Sequence, residues 1–121
     1  MSEEIPLLDL DDALNRALGD AAFLKMMFEE FQQMIPDLMA AMAIAIQKGD
    51  LDSLGKSAHQ IKGAAANLGA TAVSAAALNL ERIGKSGSPQ DAHAAFERLD
   101  SAQTALFHHI HQLDWSTLGE K

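Results

Sequence analysis

A chain of 121 residues, 48% apolar and without cysteine, suits one globular domain and excludes disulfides and thiolate metal sites. Its formal net charge of −8 argues against nucleic acid, whose binding surfaces must offset phosphate charge. The start MSEEIPLLDL lacks the basic segment and apolar core of a secretory signal, so a cytoplasmic chain is expected. Tyrosine is absent, and the β-branched and aromatic residues that pleated sheets prefer are scarce, which favours helices.

Five helices are predicted, with glycines at the expected C-caps. The first runs from about Leu8 to Leu18 and stops at Gly19. The second is capped by Asp20 and runs to Lys48, about 40 Å at 1.5 Å per residue, with Pro36 expected to kink or split it. The third is capped by Asp50, runs from Leu51 to Leu68 and stops at Gly69, and the fourth spans about Thr71 to Lys85. Ser88 and Pro89 read as N-cap and first turn of the fifth, with Asp91 echoing a capping box, and that helix runs to about Leu113. The tail DWSTLGEK is expected to be loose, with Trp115 able to dock.

Apolar residues mark the inner faces. The third helix carries Leu51, Leu54, Ala58, Ile61, Ala65 and Leu68 at spacings of three and four. The fifth carries Ala92, Phe96, Leu99, Leu106, Ile110 and Leu113, interrupted by Gln103. The second has a wider face that runs from Phe23 and Leu24 through Phe28, Phe31 and Ile35 to Met42 and Ile46. Short connections make successive helices antiparallel. The expected fold is all-α: an up-down-up-down four-helix bundle with the short first helix across one end. The chain reads as a single domain over 1–121 with its helical core over about 8–113. Residues 63–80 carry no charge, but Gly63, Asn67, Gly69, Thr71, Ser74 and Asn79 make them too polar to span a bilayer.

Charge is unevenly distributed. From Leu51 to Ser88, Lys56, Lys62, Arg82 and Lys85 outnumber Asp52 and Glu81, whereas the remainder holds five basic and fifteen acidic residues. At 100° per residue, His59 lies roughly 130° from the centre of the third helix's apolar stripe and points outward. The exposed ridge reads Gly55, His59, Lys62 and Gly63, Ala66. Each interior glycine costs roughly 1 kcal/mol of helix stability relative to alanine, so these glycines need another reason. A ridge cleared of side chains around one imidazole supplies it. With an ordinary pKa near 6.5, an imidazole offers a neutral nucleophilic nitrogen at neutral pH. A lysine beside it offsets phosphoryl charge.

The stretch AHQIKGAAANLGA at 58–70 resembles the signature of the histidine-containing phosphotransfer (HPt) domain family: H-x-x-K-G, small residues, then a glycine ten positions after the histidine. His59, Lys62, Gly63 and Gly69 match it. Leu80 and Glu81 match a Leu-Glu pair common in the following helix, and QKGD at 47–50 is close to the sequence that often precedes the histidine helix. One departure is Ala77, where many members have cysteine.

The resemblance covers about residues 9–113. It implies a carrier in a multistep phosphorelay, with His59 as phosphoacceptor, most simply through Nε2, and Lys62 stabilising phosphoryl charge. Gln60, Glu81 and Lys85 become supporting residues, and Gly55, Lys56, Gly63 and Ala66 a docking surface for the partner. The implied partners are response-regulator receiver domains and a hybrid sensor histidine kinase, with the receiver providing an acidic pocket and Mg²⁺. The chain would need no cofactor of its own, would not phosphorylate itself, and would act as a monomer. Two other readings remain: a non-catalytic helical adaptor that binds receivers, and a phosphoacceptor domain excised from a larger hybrid or chemotaxis-type kinase, which the start MSEEI disfavours. His108, His111 and Asp114 share a spacing that could hold zinc, but they fall on the wet side of their helix, and no metal is expected there.

Overall fold

The computed structural model describes residues 6–86, 89–116 and 118. Among them it contains five α-helices and no strand: α1 (Leu10–Arg16), α2 (Ala21–Lys48), α3 (Leu51–Asn67), α4 (Thr71–Ser86) and α5 (Ala92–Gln112). Each of the first three begins at an aspartate whose carboxylate accepts a backbone N–H three residues on: Asp9 from Asp12, Asp20 from Phe23 and Asp50 from Ser53. Gly19, Gly49 and Gly69 follow the ends of these helices with φ between 67° and 79°, the left-handed region that favours glycine.

The bundle is the expected one. α3 packs on α2 and most extensively on α4, and α5 closes the ring against α4 and α2. One apolar core runs through all five helices, filled by large side chains such as Phe28, Leu54, Ile61, Leu80 and Leu99. Ala58 and Ala65 of α3 and Ala77 of α4 are fully buried, and such small residues let α3 and α4 approach closely.

Several expectations are corrected. α1 is shorter than predicted, because Asp9 caps it and Leu18, at φ 59° and 94% exposed, already lies in a left-handed turn. Pro36 does not split α2, which is continuous over 28 residues. Pro36 is exposed, so the Gln32 carbonyl deprived of its helical partner can turn to water. Phe23 is not part of the inner face: it is 47% exposed, whereas Met39 and Ala45 are buried. On α5, Phe107 is buried and Phe96 only half-buried. The predicted cap Ser88 lies outside the described residues. Pro89–Asp91 form a 3₁₀ turn, and Asp91 makes no side-chain cap at the start of α5.

Both ends of the described residues are tied to the bundle. Asp9 N–H donates to the Gly69 carbonyl at 2.8 Å and Ala72 N–H to the Pro6 carbonyl at 3.0 Å, which seats the N-terminal segment on the α3–α4 turn. Gly69 therefore does more than end a helix: a Cβ there would lie 2.6 Å from the Asp9 carbonyl oxygen. At the other end, Trp115 docks against Phe28 with ring centroids 6.2 Å apart. Among the described residues, no helix is long and apolar enough to cross a membrane.

Candidate functional site

Three side chains from two helices meet on the α3–α4 face. His59 stands out from α3 with 64% of its side chain exposed. Glu81 comes from the middle of α4 and is 6% exposed, the one buried charged residue among those described. Its two carboxylate oxygens are divided between two donors of α3. His59 Nδ1 meets Oε2 at 2.8 Å, and Lys62 Nζ donates to Oε1 at 2.7 Å. Lys85, one turn after Glu81, is highly exposed and holds its ammonium 3.8 Å from Oε2. Ser74 Oγ donates to the Lys62 carbonyl at 3.3 Å and ties the two helices together once more.

The carboxylate settles the state of the ring. The Lys62 ammonium, hydrogen-bonded to Glu81, holds its carboxyl down to about 2, against burial and with help from His59. An ionised carboxylate can only accept hydrogen bonds, so Nδ1 must carry the proton. This tautomer is assigned from the hydrogen-bond network. In a neutral ring the lone pair is then on Nε2, which points away from the carboxylate. The arrangement is an exposed imidazole with its tautomer set by a buried anion, and the anion is balanced by a lysine.

The neighbouring glycines divide in role. Gly63, one turn after His59, is exposed, and a Cβ there would meet nothing within 4 Å. Gly55, one turn before, is half-buried and faces α4: its Cβ would lie 3.8 Å from the Glu81 carbonyl and from Gly84 Cα. The ridge read from the sequence thus stands clear at Gly63 and Ala66, which are exposed, while Gly55 belongs to the helix crossing. Lys62 is drawn to Glu81 rather than left as a solvated charge. Gln60 is exposed beside His59, and Lys56 pairs with Asp52 at 3.0 Å.

Shallow hollows flank the α3 ridge. One of about 330 Å³ runs from Lys62 and Ala66 past Ser74 to Asp9 and Asp12. Another of about 200 Å³ lies between α2 and α3, bordered by Met27, Met34 and Ala64. A larger one, about 460 Å³, is lined by Phe28, His111 and Trp115 and shares no residue with the site.

The resemblance offers Glu81 only as a supporting residue, and the structure makes it the buried partner of both α3 residues. Sequence reasoning missed one thing. Gly84 was not singled out, yet a Cβ there would lie 2.8 Å from the Leu51 carbonyl oxygen and 2.9 Å from Gly55 Cα. The available signal was a glycine inside a helical pattern one turn after Glu81. Among the described residues no group of three or more His, Asp or Glu could hold a metal ion. His111 instead meets Gln32 at 3.4 Å, His108 meets Gln112 at 3.4 Å, and Asp114 accepts from Ser116.

No curated protein sequence matches the chain. The fold is similar to the crystal structure of histidine-containing phosphotransfer protein B (HptB) from Pseudomonas aeruginosa PAO1, with a TM-score of 0.82 and 22% identity over 90% of this chain and 95% of that one. A family profile described as Hpt domain matches residues 26–109, which include α3, α4 and the whole histidine site. The chain therefore belongs to the Hpt domain family, the histidine phosphotransfer proteins of phosphorelay signalling.

Proposed function

We propose that His59 is the phosphoacceptor and that Nε2 is the reacting atom. The observation that carries this reading is the 2.8 Å contact between Nδ1 and the buried Glu81 carboxylate, which leaves the Nε2 lone pair facing outward. In the forward step that lone pair attacks the phosphorus of an aspartyl phosphate on a receiver domain. The N–P bond forms, the O–P bond breaks, and its electron pair stays on the aspartate. The reverse sequence passes the group to a second receiver.

Each remaining residue has a place in that exchange. Glu81 positions the imidazole, and Lys62 keeps Glu81 ionised while its charge lies close enough to favour the incoming phosphoryl group. Gly63 and Ala66 keep the approach low on one side of the ring. Gln60, Lys56 and Lys85 border the surface where a receiver docks, and Gly55 supports it from the helix crossing. The receiver would supply an acidic pocket that holds Mg²⁺, and that cation would offset the transferring phosphoryl charge. The chain is a phosphocarrier without autokinase activity, because its sequence offers no glycine-rich nucleotide loop. It acts as a single, monomeric, cytoplasmic unit fed by a hybrid sensor kinase.

The test is incubation with a phosphorylated receiver, followed by acid and alkali treatment of the labelled chain. Acid-labile, alkali-stable label is expected on wild type and absent from His59→Gln. Label that persists in His59→Gln would overturn the assignment, and no label on wild type would favour an adaptor that only binds receivers.

A further inference from the structure

We propose that Glu81 keeps the Nδ1 proton on the His59 ring throughout the time the ring carries the phosphoryl group, so that phosphate enters and leaves without any proton changing place. This rests on His59 Nε2 being the acceptor.

The electron count leads there. Before transfer the neutral ring has a proton on Nδ1 and a lone pair on Nε2. When Nε2 bonds to phosphorus, the ring becomes a phosphorylated imidazolium with its Nδ1 proton still in place. Free in water, such a ring gives that proton up as the pH rises, and the neutral ring that results is a poor donor. Its departure would require the imidazole to leave as an anion, so a proton would have to return first.

The structure removes the exit for that proton. Nδ1–H points at Glu81 Oε2 at 2.8 Å, and Glu81 is 6% exposed. Loss of the proton to solvent would set a nitrogen lone pair against a carboxylate oxygen, two acceptors facing each other with little water to relieve them. Transfer of the proton to Glu81 is opposed by Lys62, whose ammonium donates to the other oxygen at 2.7 Å. Lys85 adds a more distant positive charge at 3.8 Å. These groups come from α3 and α4, and among the described residues α2 and α5 bring no ion pair to His59 or Glu81. On exit the N–P bond breaks, its electron pair returns to Nε2, and the ring is again neutral with Nδ1–H. The same feature shortens the life of the isolated phosphorylated chain, because its ring is always in the form that lets phosphate go.

The experiment uses the full chain loaded chemically with phosphoramidate, which needs no receiver. Loss of label from His59, taken as the difference from His59→Gln loaded in the same way, is followed from pH 6 to 8. The expected wild-type rate varies less than about twofold over that range. In Glu81→Gln the amide oxygen still accepts from Nδ1–H but carries no charge. Its rate should fall about tenfold per pH unit above the ordinary imidazole value of about 6.5, roughly 30-fold slower by pH 8. Coincident pH profiles for wild type and Glu81→Gln would overturn the proposal. A second measurement needs no variant: ¹⁵N NMR of phosphorylated wild type at pH 8 should show Nδ1 bonded to a proton, and a bare Nδ1 would overturn it as well. If His59→Gln takes up label from a phosphorylated receiver as wild type does, the phosphoacceptor reading fails. If His59 is labelled but the profiles coincide, this inference alone fails.

Discussion

Gly55 of α3 and Gly84 of α4 touch backbone to backbone: a Cβ on Gly84 would lie 2.9 Å from Gly55 Cα and 3.0 Å from its nitrogen. The contact sits one turn from the site on both helices, since His59 follows Gly55 by four residues and Glu81 precedes Gly84 by three. Close approach at this crossing brings a side chain buried on α4 within hydrogen-bond reach of an exposed ring on α3. The asymmetry between the two glycines is testable. Gly84→Ala must displace backbone and should cost about 1–3 kcal/mol of stability in urea unfolding, less whatever helix propensity returns. Gly55→Ala makes only ordinary contacts and should stay within about 1 kcal/mol of wild type. Equal stabilities for the two variants would refute the crossing argument.

Gly63 makes a different prediction, because space around it is open. Gly63→Ala should stabilise the fold by up to about 1 kcal/mol, the ordinary helix preference for alanine. Gly63→Leu should keep the helical circular dichroism of wild type and slow transfer from a phosphorylated receiver. Unchanged transfer in that variant would leave the glycine without a docking role.

Acid should report on Glu81. Its carboxyl is lowered from 4.5 to about 2, chiefly by the hydrogen bond from Lys62. A carboxylate with a depressed folded-state pKa contributes stability that is present above its unfolded value and lost as pH falls through the folded value. Glu81 therefore adds stability above about pH 4.5 that disappears by about pH 2. Melting temperatures of wild type and Glu81→Gln should differ at pH 6 and converge as pH falls through that window. Lys62→Met removes the largest cause of the shift, so its acid loss should be smaller and should be complete at higher pH. Parallel curves for all three proteins would contradict the network.

Trp115 is the single tryptophan, and its packing on Phe28 gives an optical test of the C-terminal tail. Phe28→Ala removes the ring it rests on and should shift Trp115 emission to the red. The same change opens a cavity in the core, with an expected cost of about 3–5 kcal/mol in unfolding. Unshifted emission would mean that the tail does not depend on this contact.

Much of the molecule was legible in the chain itself. Aspartate caps, glycine stops and the three-four spacing of apolar residues defined α2, α3 and α4 to within a residue or so, because these signals act through local backbone hydrogen bonds and one helix period. The same period put His59 on the outer face, and open space at Gly63 agrees with the bare ridge read around it. Local rules misplaced the start of α1 and allowed a break at Pro36 that the continuous α2 does not have. A continuous helix depends on whether water can serve one carbonyl, and that depends on which side faces out.

Only the tertiary structure decided what surrounds the histidine. Helical periodicity says which way a side chain leaves its own axis. It does not say where a neighbouring helix crosses or how deep a residue on that neighbour lies. The sequence offers Glu81 only as a supporting residue, with no depth or partner assigned. Its burial, its division between His59 and Lys62, and the tautomer that follows all depend on α4 lying within backbone contact of α3, which Gly84 allows because it carries no side chain.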